Sequence, residues 1–182
     1  MATESMDMPL GTTAPNFDLV DARENRRFSL NDINANKGLL IVFGCNHCPY
    51  VRHVLPRLNE IIGEFIPQGI SALMINSNDA TQYPEDSFEK MQEFAEEFNF
   101  PMPYLHDETQ EVAMAYGAVC TPEFFLFDSE LKLVYHGQFD GTRPGKGEAT
   151  GEDLVRAMQA LINGDEVLTE QIPCVGCGIK WK

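Results

Sequence analysis

Residues 39–48 read LLIVFGCNHC, so five apolar residues and a glycine lead directly into two cysteines that are separated by two residues. A continuous apolar run of this kind is typical of a strand covered on both faces of a sheet. Beyond it, apolar side chains recur at helical spacing from Val51 to Phe65, which predicts an amphipathic helix. The sequence therefore places the cysteine pair between a buried strand and a helix.

The same alternation continues along the chain. Strands are expected over 16–20 and 70–75, and a hairpin over 124–135. Helices are expected over 84–98, about 109–116 and 152–163. This order predicts an α/β fold, a thioredoxin-like three-layer sandwich in which a mixed central β-sheet has helices on both faces. We expect 1–182 to form a single domain with a cysteine-bearing C-terminal tail over about 165–182.

Composition narrows the classes of partner. Acidic residues outnumber basic ones by 28 to 13, for a formal net charge of -15. Nucleic acids and anionic membrane surfaces both select clusters of Lys and Arg, so we expect neither as a partner. The N-terminus has no secretory pattern, and no apolar run approaches the roughly 18 residues of a membrane span. These features predict a cytoplasmic protein.

The cysteines are Cys45, Cys48, Cys120, Cys174 and Cys177. In a reducing compartment we do not expect them to form a permanent disulfide framework. Catalysis, redox sensing and metal binding are then the functions that the cysteines indicate.

The first pair, Cys45 and Cys48, is expected to be redox-active. At a helix N-terminus, unpaired N–H groups and the helix dipole stabilise a thiolate, which is the attacking species. We expect Cys45 to be the more exposed thiol, to have a lowered pKa and to attack a disulfide, and Cys48, inside the first turn, to resolve the mixed disulfide. A protonated His47 would further favour the Cys45 thiolate and make the couple relatively oxidising.

Thr121 and Pro122 precede a predicted strand far downstream of the cysteine pair. If Pro122 is cis, the Thr121 backbone lies beside Cys45 and offers main-chain groups to an extended substrate, as in strand addition. A trans proline at the first residue of a strand is the alternative interpretation. Thr121 and Pro122 are therefore candidate substrate-binding residues.

Together these motifs resemble the thioredoxin superfamily, and in particular its redoxin and alkyl-hydroperoxide-reductase-like (AhpC/TSA) branch of peroxiredoxin-like proteins. The similar stretches are GTTAPNF from Gly11, Phe28-Ser29-Leu30, GCNHCPYV from Gly44, YPEDSFEKM from Tyr83, YGAVCTPEFFLFD from Tyr116 and the terminal GCGIKWK. The resemblance implies a thioredoxin-like fold and antioxidant or other thiol redox chemistry.

The sequence also departs from two patterns of that superfamily. Gly38 and Val42 stand where a peroxidatic site has a Pro and a Thr or Ser. Leu39 stands where thioredoxin has a buried Asp, so the usual proton acceptor for the second cysteine is missing there.

The other cysteines leave several interpretations open. Cys120, next to Thr121, is an accessory redox thiol, a metal ligand or a small buried residue beside the site. Cys174 and Cys177 are a resolving pair that exchanges electrons with the first pair, half of a zinc site, or inert thiols in a packed tail.

Our leading hypothesis is a thiol–disulfide oxidoreductase with Cys45, His47 and Cys48 as catalytic residues. It needs no cofactor and no metal, and its partners are protein or small-molecule disulfides and thiols, or a peroxide. One alternative is a thiol peroxidase in which peroxide oxidises Cys45 to a sulfenic acid that Cys48 resolves. The other is a cysteine-based metal-binding or metallochaperone module.

Overall fold

The computed structural model describes residues 2–182. The strands are β1 Ala2–Glu4, β2 Asp18–Asp21, β3 Arg26–Ser29, β4 Gly38–Phe43, β5 Ile70–Asn76, β6 Tyr104–His106, β7 Cys120–Thr121, β8 Glu123–Asp128, β9 Leu133–Tyr135 and β10 Val175–Gly178. The helices are α1 Pro49–Phe65, α2 Phe88–Glu97, α3 Glu111–Tyr116 and α4 Glu152–Asn163. Within residues 2–182, no helix is both long enough and apolar enough to cross a bilayer.

The central sheet has the strand order β3-β2-β6-β5-β4-β8-β9. The interior strand β4 runs parallel to β5 and antiparallel to β8, so the sheet is mixed. β8 and β9 pair antiparallel, with Leu126 opposite Tyr135, as the predicted hairpin requires. The carboxyl ends of β4 and β5 therefore meet at one edge of the sheet, where the cysteine motif follows β4.

Helices cover both faces of this sheet. Leu40 and Val42 of β4 belong to a core that also contains the apolar faces of α1, α2 and α4. Leu39 and Ile41, which alternate with them, pack with α3 on the opposite face. The predicted three-layer α/β class with a mixed sheet is confirmed.

Helix α1 begins at Pro49, and Cys48 is its N-cap residue in an extended conformation with φ -68° and ψ 121°. The prediction that Cys48 lies inside the first turn is therefore wrong. A residue that precedes proline is driven out of the helical region by the proline ring, whereas proline itself suits the first helical position. The helix continues through Pro56 to Phe65.

The C-terminal tail contains a strand that the sequence did not indicate. β10 pairs antiparallel with β1 on one side and with β7 on the other. These three strands form a small second sheet with the order β1-β10-β7. Short strands without alternating hydrophobicity leave little signal in a sequence, and this one becomes visible only through its partners.

The start of α2 also differs from the prediction. Residues 84–86 form a separate turn of 3-10 helix, and α2 begins after it at Phe88. Ser87 is the N-cap, and its hydroxyl accepts a hydrogen bond from the Lys90 N–H at 3.3 Å. The separate turn buries Asp86, which places a carboxylate near the end of β4.

Candidate active site

The first cysteine pair lies in the interior of the protein. Cys45 is 1% exposed and Cys48 0% exposed, and both pack against Val51 of α1. The chain reaches them past Gly44, where a Cβ atom would lie 2.7 Å from the Met74 sulfur. The prediction that Cys45 is an exposed thiol is wrong in this structure, because the neighbouring segments cover both sulfurs.

Thr121 lies beside both cysteines. Its hydroxyl is 3.4 Å from the Cys45 sulfur, and its carbonyl oxygen is 3.2 Å from the Cys48 sulfur. The Thr121–Pro122 peptide bond is cis. The structure therefore brings Thr121 to the place expected from the sequence, while its part in substrate binding stays a prediction.

The two sulfurs differ in how readily they ionise. The Cys45 thiol donates to the Cys48 sulfur, and this bond, helped by the Cys177 thiol, outweighs burial and lowers the pKa of Cys48 to about 5. The same bond, burial and the nearby Asp86 carboxylate raise the pKa of Cys45 well above its usual value. The structure thus lowers the pKa of Cys48, the residue that caps the helix, and raises that of Cys45, the opposite of the order expected from the sequence.

A buried carboxylate, Asp86, organises the motif from another segment of the chain. It accepts hydrogen bonds from the Asn46 N–H at 2.7 Å, from the Asn78 amide at 2.8 Å and from the His47 ring at 2.6 Å. Burial alone would raise the pKa of Asp86, but these donors together hold it below the usual value. Asp86 is thus ionised at neutral pH and fixes the loop between the cysteines.

His47 bonds to this carboxylate through Nδ1. Its ring also stacks on Tyr83 with the centroids 5.7 Å apart, and 26% of the side chain is exposed. The hydrogen bond to Asp86 raises the pKa of His47 against the opposing effect of burial. When protonated, His47 therefore forms an ion pair with Asp86; its predicted catalytic role stays a prediction.

Sequence reasoning did not identify Asp86 as a member of the site. It looked for a buried acid at position 39, which is Leu39, and found none. A usable signal existed, since the Cys45 motif follows β4, Asp86 follows β5, and β4 and β5 are parallel neighbours. Residues that follow adjacent parallel strands meet at the same edge of the sheet.

The ligand atoms of Cys45, His47 and Asp86 all lie within 4.8 Å of one another, which is close enough to hold a metal ion. A set of sulfur, nitrogen and oxygen donors of this kind suits zinc. The Asp86 oxygens already accept three hydrogen bonds, however, one of them from the His47 ring. The cluster therefore fits a hydrogen-bonded redox site better than a metal centre.

The remaining cysteines separate into different environments. The Cys174 thiol is buried and donates to the Gly137 carbonyl at 2.9 Å, and burial raises its pKa. Cys120 is buried beside Glu123, and burial raises its pKa as well. Cys177, in contrast, packs directly against Cys45 and Cys48. The predicted pairing of Cys174 with Cys177, as a resolving pair or as a zinc half-site, is therefore not what the structure shows.

Comparison with known proteins supports this description. Residues 10–136 match the AhpC/TSA family. A thiol–disulfide oxidoreductase ResA of Geobacillus thermodenitrificans is 32% identical over 131 residues, which are 72% of this chain and 70% of that protein. An uncharacterized conserved protein of Geobacillus kaustophilus is 49% identical, with a TM-score of 0.98 over 100% of this chain and 97% of that one.

A more distant structure identifies the fold. The thioredoxin domain of a thiol–disulfide oxidoreductase of Bacteroides vulgatus is 22% identical, with a TM-score of 0.61 over 71% of this chain and 89% of that one. The predicted thioredoxin-like fold and the predicted class of reaction, thiol–disulfide oxidoreduction, are confirmed. With residues 10–136 matched, the chain belongs to the AhpC/TSA family.

Proposed function

We propose that Cys45 and Cys48 are the dithiol of this thiol–disulfide oxidoreductase and that Cys48 is the attacking sulfur. The proposal rests on the place of Cys48 as the N-cap of α1, where a helix N-terminus favours a thiolate, and on the lowered pKa of Cys48 beside Cys45 and Thr121. Attack requires a thiolate, so the ionised sulfur is the one that reacts first. This assignment reverses the order expected from the sequence.

The exchange balances within the pair and its substrate. The Cys48 thiolate attacks one sulfur of a substrate disulfide, a Cys48–substrate bond forms, and the first substrate thiolate leaves. Cys45 then attacks the Cys48 sulfur and forms the Cys45–Cys48 disulfide, and the second substrate thiolate leaves. The Cys45 proton and one proton from water convert both products to thiols. The pair thus loses two electrons to the substrate, and an external thiol reverses the sequence.

Asp86 and His47 position the pair in this scheme. Asp86 accepts the Asn46 N–H and the His47 ring, so it holds both residues between the cysteines. Its carboxylate also disfavours a second negative charge on Cys45. The reduced site therefore keeps one thiolate and one thiol, which is the protonation state that the first attack needs.

Protein disulfides and small disulfides are the substrates that we propose, with hydrogen peroxide as the second choice. Cys45, the peroxidatic cysteine of the alternative hypothesis, is buried and has a raised pKa, so it holds little thiolate. Val42 also cannot donate the hydrogen bond that a Thr or Ser would offer at that position. These features support disulfide exchange as the main reaction.

A trapping experiment tests the proposal. The Cys45→Ser variant is expected to accumulate a mixed disulfide on Cys48 when it meets oxidised glutathione or a disulfide-bonded protein, because the resolving thiol is missing. The Cys48→Ser variant should trap little, since the remaining Cys45 thiol ionises with difficulty. Mass spectrometry of the intact and digested variants measures both.

Three results would contradict the proposal. Trapping confined to Cys45 would restore the order predicted from the sequence. Rapid peroxide consumption without disulfide exchange would favour the peroxidase, and one equivalent of tightly bound zinc in anaerobically purified protein would favour the metal module. The matched control is Cys174→Ser, which removes a buried thiol that lies in a different core cluster from the pair.

A further inference from the structure

The C-terminal strand β10 lies along the strand that presents Thr121. In this antiparallel pairing Cys177 is opposite Thr121, and Gly178 is opposite Cys120. A Cβ atom on Gly176 would lie 2.1 Å from the Thr121 oxygen and 2.6 Å from the Thr121 carbonyl carbon. β10 can therefore approach Thr121 this closely only because position 176 has no side chain.

Cys177 reaches the redox pair from this strand. It packs against the cluster of Cys45, Cys48 and Val51, and it is the one cysteine in residues 2–182 that is not buried. Partial burial and the neighbouring Cys48 sulfur raise the pKa of Cys177 to about 12. In the reduced site Cys177 is thus a neutral thiol packed against the redox pair.

This arrangement is the one that an extended substrate is expected to adopt. A substrate strand would run along β7 and bring its cysteine against the pair, as in strand addition. β10 already occupies that edge, and Cys177 already contacts Cys48 there. A strand from another molecule would have to replace β10 on this side of Thr121.

We propose that β10 is an internal substrate strand and that Cys177 is a third redox thiol, which exchanges with Cys48 when the Cys45–Cys48 pair is oxidised. This inference rests on the proposed disulfide exchange at Cys45 and Cys48. The exchange replaces a disulfide between two buried sulfurs with a disulfide that includes the partly exposed Cys177 sulfur.

The step balances without a further oxidant. The Cys177 sulfur attacks the Cys48 sulfur of the Cys45–Cys48 disulfide, the Cys48–Cys177 bond forms, and the Cys45–Cys48 bond breaks. Cys45 leaves with the electron pair and takes the proton that Cys177 gives up. An external thiolate can then attack Cys177, form a mixed disulfide with it and release the Cys48 thiolate. The oxidant is the substrate disulfide that formed the first bond.

Disulfide mapping of the full chain tests the proposal. The reduced protein is exposed to one equivalent of oxidised glutathione, quenched in acid, alkylated, digested and analysed by mass spectrometry. We expect both Cys45–Cys48 and Cys48–Cys177 disulfides in the unmodified chain and in the Cys174→Ser control. Cys45→Ser should retain only the Cys48–Cys177 disulfide, and Cys177→Ser only the Cys45–Cys48 disulfide.

A second variant tests the strand rather than the thiol. Gly176→Ala places a methyl group within 2.1 Å of the Thr121 oxygen, so β10 must move away. We expect this variant to lose the Cys48–Cys177 disulfide, to keep the Cys45–Cys48 disulfide and to show faster alkylation of Cys48. Gly178→Ala is the matched control, because its Cβ would come no nearer than 3.1 Å to any atom, the Thr3 hydroxyl oxygen, and would stay 3.9 Å from the nearest backbone atom, the Val119 oxygen.

The outcomes separate the two proposals. If the Cys45–Cys48 disulfide forms in every variant that has both cysteines while Cys177 stays fully alkylated, the proposal of an internal substrate strand is overturned. The proposed disulfide exchange then stands. If no Cys45–Cys48 disulfide forms, the proposed function itself fails. A Cys174–Cys177 disulfide, or Cys177 linked only between two molecules, would also overturn the internal exchange.

Discussion

The chain contains two motifs with the same spacing, Cys45–Cys48 and Cys174–Cys177, and the fold treats them differently. The first motif turns into the start of α1, and its two sulfurs come together. The second motif runs into an extended strand, β10, where residues three apart point to opposite faces. Cys174 consequently enters the main core and Cys177 the redox site. Two cysteines at this spacing form a pair only where the backbone turns.

The two buried thiols Cys48 and Cys174 also show that burial does not determine reactivity by itself. Cys174 donates to the Gly137 carbonyl, which favours the neutral thiol, and burial raises its pKa. Cys48 is equally buried, but the neighbouring Cys45 and Cys177 thiols, the Thr121 hydroxyl and the Val51 N–H outweigh burial, and its pKa falls to about 5. The direction of the hydrogen bonds therefore decides which buried sulfur ionises.

The largest expected effect breaks the first motif and leaves the second intact. Cys48→Ser should lower the rate of reduction of insulin disulfides to the uncatalysed rate, because it removes the sulfur that we propose attacks the substrate disulfide. Cys174→Ser should keep the rate of the unmodified chain. Equal losses in the two variants would mean that the second motif belongs to the catalytic pair.

The next largest effect is expected on the pH at which the thiols of the reduced protein ionise. The thiolate absorbance near 240 nm should rise with a midpoint at about pH 5, and Cys48→Ser should lack this transition. Cys45→Ser should raise the midpoint strongly because it removes the largest stabilising hydrogen bond, and Cys177→Ser should raise it by less. A midpoint near the free-thiol value of about 8.5 in the unmodified chain would contradict the lowered pKa of Cys48.

A pair of glycine variants tests the close approach of the second motif to Thr121. Gly176→Ala is expected to lower the free energy of unfolding by about 1–3 kcal/mol, as overpacking does at close backbone contacts. Gly178→Ala should cost clearly less, since only a side-chain oxygen lies near its Cβ. Urea denaturation measures both, and equal costs would argue against the tight contact of β10 with Thr121.

The smallest effect concerns the ion pair that orders the first motif. The hydrogen bond that raises the pKa of His47 stabilises the fold at pH values below the usual histidine pKa of about 6.5. This contribution is lost as the pH rises through the raised pKa. The hydrogen bonds that lower the pKa of Asp86 stabilise the fold at pH values above the usual aspartate pKa, and this stabilisation is lost as the pH falls through the lowered pKa. The stability difference between the unmodified chain and His47→Gln should therefore be largest in mildly acidic solution and shrink above neutral pH.

A matched histidine controls that measurement. His53 contacts the Thr142 hydroxyl at 2.8 Å instead of a carboxylate, so His53→Gln should not reproduce the profile of His47→Gln. Urea midpoints across the pH range compare the two variants. A stability difference for His47→Gln that grows above neutral pH would show that the His47–Asp86 pair does not stabilise the fold as described.

Much of the fold was predictable from the periodicity of the sequence. The buried strand at 39–43 and the helix that follows it appear as β4 and α1, and the hairpin over 124–135 appears as β8 and β9. The strands that escaped prediction are the short ones, including β7 and β10, whose pairing joins segments far apart in the chain. The position of Cys48 as N-cap was readable from Pro49, because a residue before proline avoids the helical region.

The sequence by itself determined the α/β class, the place of the first cysteine pair between a strand and a helix, and the thiol chemistry that such a place allows. Its predictions of a single domain and of a cytoplasmic location stay predictions. Only the tertiary structure brought Asp86 against the loop between the cysteines, packed Cys177 against the pair and lowered the pKa of Cys48. The physical reason is that a pKa depends on the charges and donors within a few ångströms, and here these come from segments that only the folded chain brings together.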